Sequence, residues 1–248
     1  MNIERKRRIA FYLNCAVIVF AVTGTVLMFF FRGNNEELLA DGIENYKYFT
    51  VLSNEFCGVI AVVSLIRSLR GKAQPMLAKF MAAAAVGLTF LVIIGFLGPL
   101  YGLLKMYRGA NFFFHLILPL TAMAEFVFCP GDAEDGAGQT VADGAVQVSS
   151  QGSGSLITTI PFRWTLYTMI PVAVYGAFYL GNNLINGIGE WPHTNDFYGF
   201  LNWGLPVGLL IFAFIMLAIW GISCALRAVR KRIQQYAVST EEERTAGM

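Results

Sequence analysis

Charge is scarce in this chain. Only 14% of its residues are Asp, Glu, Lys or Arg, while 56% are hydrophobic; soluble domains carry roughly 25% charged residues. A water-soluble protein this apolar would expose large patches and aggregate, so an ordinary soluble enzyme is excluded and no nucleic-acid partner is expected. Cysteine is also without pattern. Cys15, Cys57, Cys129 and Cys224 form no CxxC and no metal-ligand spacing, which argues against a disulfide scaffold or a zinc site; no metal or cofactor is expected. The basic start, Met1 to Arg8, resembles a secretory leader but lacks a small-x-small cleavage pattern, and its apolar run is too long for one. It reads as a retained first span.

What is abundant is apolar sequence at bilayer length. A hydrocarbon core of about 30 Å needs roughly 20 apolar residues in a helix. Six stretches meet or approach this: Ile9 to Phe31, Tyr48 to Ile66, Phe80 to Leu100, Phe112 to Phe128, Trp164 to Leu180 and Phe200 to Leu226. The expectation is an all-α, polytopic membrane protein with six transmembrane helices, a single domain over 1–248. Lys and Arg orient it. Arg5, Lys6, Arg7, Arg8, Arg67, Arg70, Lys72, Lys79, Arg163, Arg227, Arg230, Lys231, Arg232 and Arg244, fourteen of the eighteen, lie on the N-terminal side. Arg32, Lys47, Lys105 and Arg108 lie opposite. Both termini are therefore expected in the cytoplasm (N-in/C-in), in the cell membrane, with 233–248 a cytoplasmic tail.

Between the fourth and fifth spans, the loop 130–160 carries Asp132, Glu134, Asp135 and Asp143, many Gly and Ser, and no Lys or Arg before Ser155. Such a segment buries too little apolar area to offset its ordering entropy, so a flexible cytoplasmic loop is expected. Small residues, Ala82 to Ala85 with Gly87, and Gly204 with Gly208, suggest close helix packing.

Ionisable groups at membrane depth are costly and point to function. Glu55 in the second span and His115 and Glu125 in the fourth stand out, accompanied by Thr50, Ser53 and Asn54 on one face of the second span. Thr50 and His115 lie at similar depth near the outer ends of their helices. A Thr hydroxyl with a neutral His within reach is a nucleophile and its base; Ser53 or Asn54 could donate to a developing oxyanion. The plainer alternative is that these hydroxyls bond one helical turn back and the His bonds a neighbouring helix. Glu125 lies about 15 Å from His115 along the helix, too far to orient the ring. A structural role is favoured for it, and Glu55 needs a partner such as His115 or another polar residue. Outside, Trp191, Phe197, Tyr198 and Trp203 form an interfacial aromatic belt, where His193 and Asp196 either cover a pocket or make a solvated turn.

Two motifs carry a family resemblance. Tyr-Phe-Thr-x-x-Ser-Asn, Tyr48 to Asn54, resembles a signature of the bacterial six-helix relatives of the androgen-induced membrane protein family. His115-x3-Pro119-x5-Glu125-Phe126 is similar to that family's His-x3-Pro-x5-Asp-Trp, with Glu for Asp and Phe for Trp. The resemblance covers Tyr48 to Phe128. Animal members are threonine hydrolases of branched fatty-acid esters, so it implies Thr50 as nucleophile, His115 as base, and a lipid-ester substrate among membrane-lipid partners. Two rival readings stand beside it. One is a proton- or cation-coupled transporter or channel using Glu55, His115 and Glu125, with Pro99 and Pro119 as helix breaks; the other is a noncatalytic membrane scaffold.

Overall fold

A computed structural model describes residues 3–30, 42–128, 147–149, 157–190 and 194–246. Six long helices organise the described chain: α1 (Ile3–Phe30), α2 (Phe49–Leu69), α3 (Met76–Leu97), α4 (Ala110–Phe128), α5 (Ile170–Asn186) and α6 (Leu205–Ala246). Five of them, all but α5, contain stretches long and apolar enough to cross a membrane. The 17 residues of α5 reach about 26 Å. The expected fifth span, Trp164 to Leu180, is divided into a Trp164–Tyr167 turn and α5 proper, because Pro171 at the start of α5 cannot donate to the turn before it.

Helix ends follow local chemistry. The second helix stops where Gly71 takes a positive φ of 61°, and the Lys72 amide returns to the Arg67 carbonyl at 2.8 Å. Pro75 then opens α3. Both α3 and α4 contain a widened π turn, at Ile93–Leu97 and Phe113–Ile117. Each lies just ahead of a proline, Pro99 and Pro119, which removes a backbone donor and crowds the preceding turn.

The centre of the bundle is α3, whose run Ala82–Thr89 is wholly buried. On one side it packs with Val17 and Ala21 of α1, Cys57 and Ala61 of α2, and Leu118 and Ala122 of α4. On the other, Phe80 stacks on Phe126 of α4 at 4.9 Å, beside Val172 of α5 and Ile219 and Leu226 of α6. Small residues let these backbones close. A Cβ on Gly87 would come within 3.1 Å of Met123 and Ile222, and one on Gly58 within 2.9 Å of Ala21. The Gly204–Gly208 pair behaves differently: Gly204 turns the chain at φ 84°, and Gly208 packs on Phe200 and Leu201 of its own loop.

Away from the bundle axis, α1 exposes Val19, Val22 and Val26, and α6 exposes Leu209, Leu210, Phe214 and Leu217. Apolar faces of this extent belong in lipid, and the chain is a multi-pass, membrane-embedded helical protein. The sixth helix, 42 residues and about 63 Å long, runs past the bundle and takes in most of the expected 233–248 tail. Of the loop 130–160, an antiparallel pair is described, β1 (Gln147–Ser149) and β2 (Ile157–Thr159), with Val148 opposite Thr158. Its acids Asp132, Glu134, Asp135 and Asp143 lie outside the described residues, as do Cys129, Trp191 and His193.

Candidate functional site

The Tyr48–Asn54 segment opens α2. Tyr48 is extended, and its ring meets Phe197 and Tyr198 edge-on at 5.2 and 5.7 Å. The first amide of α2, Phe49 N–H, donates to the Tyr198 hydroxyl at 2.9 Å. This satisfies one of the amides a helix start leaves without an internal partner. One turn further in, the polar face is spent largely on the protein itself. Ser53 donates to the Thr50 carbonyl at 3.0 Å and lies 3.2 Å from the Thr89 hydroxyl of α3. The fully buried Asn54 amide donates to the Thr50 carbonyl at 2.7 Å and to the Phe114 carbonyl of α4 at 3.0 Å.

That last bond brings α2 and α4 together beside His115. Phe114 is held from a second direction, since its ring lies over Gly24 of α1, where an added Cβ would sit 2.4 Å from a ring carbon. His115 follows in the π turn, 8% exposed, with Nδ1 3.3 Å from the Met106 carbonyl. With Nδ1–H as donor to that oxygen, Nε2 keeps its lone pair and can accept a proton. A backbone carbonyl thus occupies the orienting place for which the sequence offered no side chain. Among the described residues no hydrogen bond joins the Thr50 hydroxyl to the His115 ring. Asn54 has donated both amide hydrogens to carbonyls, and its Oδ1 is buried with no partner among the described residues.

The two intramembrane acids occupy separate networks. Glu55 accepts from the Thr25 hydroxyl of α1, so its partner is not His115. Glu125, 5% exposed, accepts from the Lys79 ammonium of α3 and from the Asn14 amide of α1, the latter at 2.9 Å. Three helices are tied at this carboxylate. Lys79, placed by sequence among the loop charges, is 4% exposed. Arg230 of α6 lies below, its guanidinium donating to the Phe126 carbonyl and resting over the Phe126 ring at 5.3 Å. The sequence position of Lys79, one residue before an apolar run, was the available sign of burial; Asn14 and Thr25 carried none beyond lying inside a span.

Asp196 joins the outer loop to α5. It accepts from the Tyr179 hydroxyl and, at 2.9 Å, from the Leu201 amide. Tyr175 donates to the Lys47 carbonyl at 2.6 Å, and Tyr175, Tyr179, Phe197, Tyr198 and Phe200 pack ring on ring. Burial pushes the Tyr198 hydroxyl up to about 12. Of the expected aromatic belt, Trp203 is exposed, whereas Phe197 and Tyr198 join a roof that fastens α2 to α5. Beneath it lies a cavity of about 480 Å³ between the Phe49–Phe56 face of α2 and a stripe of α5 running from Pro171 to Asn182, floored by Ala85. Ser53 lines it; Thr50 and His115 do not.

No group of three or more metal-ligating side chains is present among the described residues. Compared with family models, characterised proteins and solved structures, the chain matches none.

Proposed function

We propose that this is a six-span, N-in/C-in protein of the cell membrane that hydrolyses a lipid-like ester from the outer side, with Thr50 as nucleophile and His115 as base. Its motifs resemble those of the threonine hydrolases of the androgen-induced membrane protein family. The observation that carries the reading is the Asn54–Phe114 bridge, which clamps the Thr50 turn of α2 to the turn bearing His115, while Met106 engages Nδ1. Thr50 Oγ attacks the ester carbonyl as its proton passes to Nε2 of His115. The imidazolium returns that proton to the departing alkoxide, and water then releases the acyl group by the same route. Asn54 positions the two turns through its amide hydrogens. Ser53 holds the Thr50 backbone.

The three ionisable groups of the transporter reading fall in separate networks among the described residues, Glu55 with Thr25, His115 with Met106, Glu125 with Lys79 and Asn14. Purified protein is offered a panel of lipid esters and a fluorophosphonate probe. Labelling and turnover should fall by about 10³-fold or more in Thr50→Ala and His115→Ala, with melting temperatures retained. Unchanged labelling in both variants refutes the assignment.

A further inference from the structure

The cavity under the aromatic roof has the dimensions and chemistry of a lipid site. Along α5 its lining follows helical spacing from Pro171 through Val174 and Phe178 to Asn182, a run of about 16 Å. That is roughly half the hydrocarbon core of a bilayer, the depth of one leaflet. The slot opens sideways, because its wall residues Leu52, Val174 and Phe178 are exposed, Phe178 by 75%. In a membrane that opening faces acyl chains, and 480 Å³ falls within the usual range of small-molecule sites.

Among the described residues, the mouth of the slot carries one cation. Lys47 lines it two residues before α2, its ammonium 5.6 Å from the centres of the Tyr48 and Phe197 rings. No described carboxylate forms an ion pair with it. Tyr46 also lines the slot, and among the described residues no Asp or Glu does. A single ammonium at the interface, above an apolar channel one leaflet deep, complements a head group bearing one negative charge.

We infer that this slot binds one acyl chain of a monoanionic diacyl phospholipid, with the phosphodiester on Lys47 and the second chain left in the bilayer through the lateral opening. The inference goes beyond the hydrolase reading and does not depend on it, since Thr50 and His115 lie outside the lining. The lipid would brace α5 against α2 below their aromatic fastening, where α5 alone is short for a span.

The test uses the full chain in nanodiscs of phosphatidylcholine doped with phosphatidylglycerol bearing a photoreactive diazirine on one acyl chain. Crosslinked residues are mapped by mass spectrometry. Labelling should concentrate on Leu52, Val174 and Phe178. Lys47→Gln should cut it by about tenfold, the weight of one charge-assisted contact, and Lys47→Arg should restore it. Val174→Trp, which fills the slot, should remove it while crosslinks on α1 and α6 persist. Photoreactive phosphatidylcholine should label the slot weakly. Equal labelling by the two lipids, labelling spread evenly over α1 and α6, displacement by palmitate instead of phosphatidylglycerol, or an unchanged yield in Lys47→Gln would each overturn the inference. Thr50→Ala leaves slot labelling intact if the two sites are separate, so failure of one proposal is distinguishable from failure of the other.

Discussion

Replacing Glu125 by glutamine tests how the inner half of the bundle is held. The carboxylate is 5% exposed, and its Lys79 partner 4%. The substitution keeps the shape and the Asn14 contact but removes the charge that compensates the Lys79 ammonium. Breaking a buried pair by removing one partner costs about 3–5 kcal/mol, whereas replacing both by apolar groups of similar volume is often neutral. Glu125→Gln and Lys79→Met should therefore each destabilise by about 3 kcal/mol or more, and Glu125→Gln/Lys79→Met should regain most of that loss. Asn14→Leu should cost less, about 1.5–3 kcal/mol for one hydrogen bond to a charged group. The measurement is reversible denaturant unfolding in mixed micelles, read by tryptophan fluorescence and arranged as a double-mutant cycle. Additive single effects, or single effects below about 1 kcal/mol, would refute the ion pair as the tie among α1, α3 and α4. The same variants bear on the transport alternative. A structural carboxylate changes stability, while a proton relay would change flux in proteoliposomes at unchanged stability.

Two further outcomes follow from packing and titration. Gly24→Ala and Gly176→Ala place a methyl 2.4 Å from the Phe114 ring and 2.1 Å from the Phe212 ring respectively. Each should destabilise by about 1–3 kcal/mol in thermal unfolding, and Gly24→Ala should also lower fluorophosphonate labelling because it displaces the turn bearing His115. Burial favours the neutral form of Tyr198 and pushes its hydroxyl from the ordinary 10.0 up to about 12. Its contribution to stability is complete below pH 10 and is lost as pH rises through 12. A titration of tyrosinate absorbance should show several tyrosines of the roof ionising late, and Tyr198→Phe should reduce their number by one.

Much of the fold was legible because the bilayer imposes a length. A helix crossing hydrocarbon must satisfy its own backbone and be apolar for about 20 residues, so the spans beginning near residues 9, 48, 80, 112 and 200 are marked in the sequence and recur as α1, α2, α3, α4 and α6. The fifth was legible as apolar sequence only; Pro171 breaks it into a turn and a helix of 17 residues. Polarity at depth likewise marked Ser53, Asn54, Glu55, His115 and Glu125 as residues that need partners. It could not say which partners, since a hydrogen bond across 60 or 111 residues depends on how helices rotate about their axes. Hence Asn54 was a candidate oxyanion donor by sequence and is a bridge to Phe114 in the fold.

What the sequence determined by itself is therefore a membrane-embedded helical protein, since composition and run length decide which solvent the chain can enter. Only the tertiary structure decided what its polar residues do. Lys79 leaves the loop charges and joins Glu125, Thr25 takes Glu55, and the Met106 carbonyl orients His115. The physical reason is common to all three: desolvating a polar group is costly unless a partner arrives, and which partner arrives is set by packing among helices whose relative rotation no local pattern records.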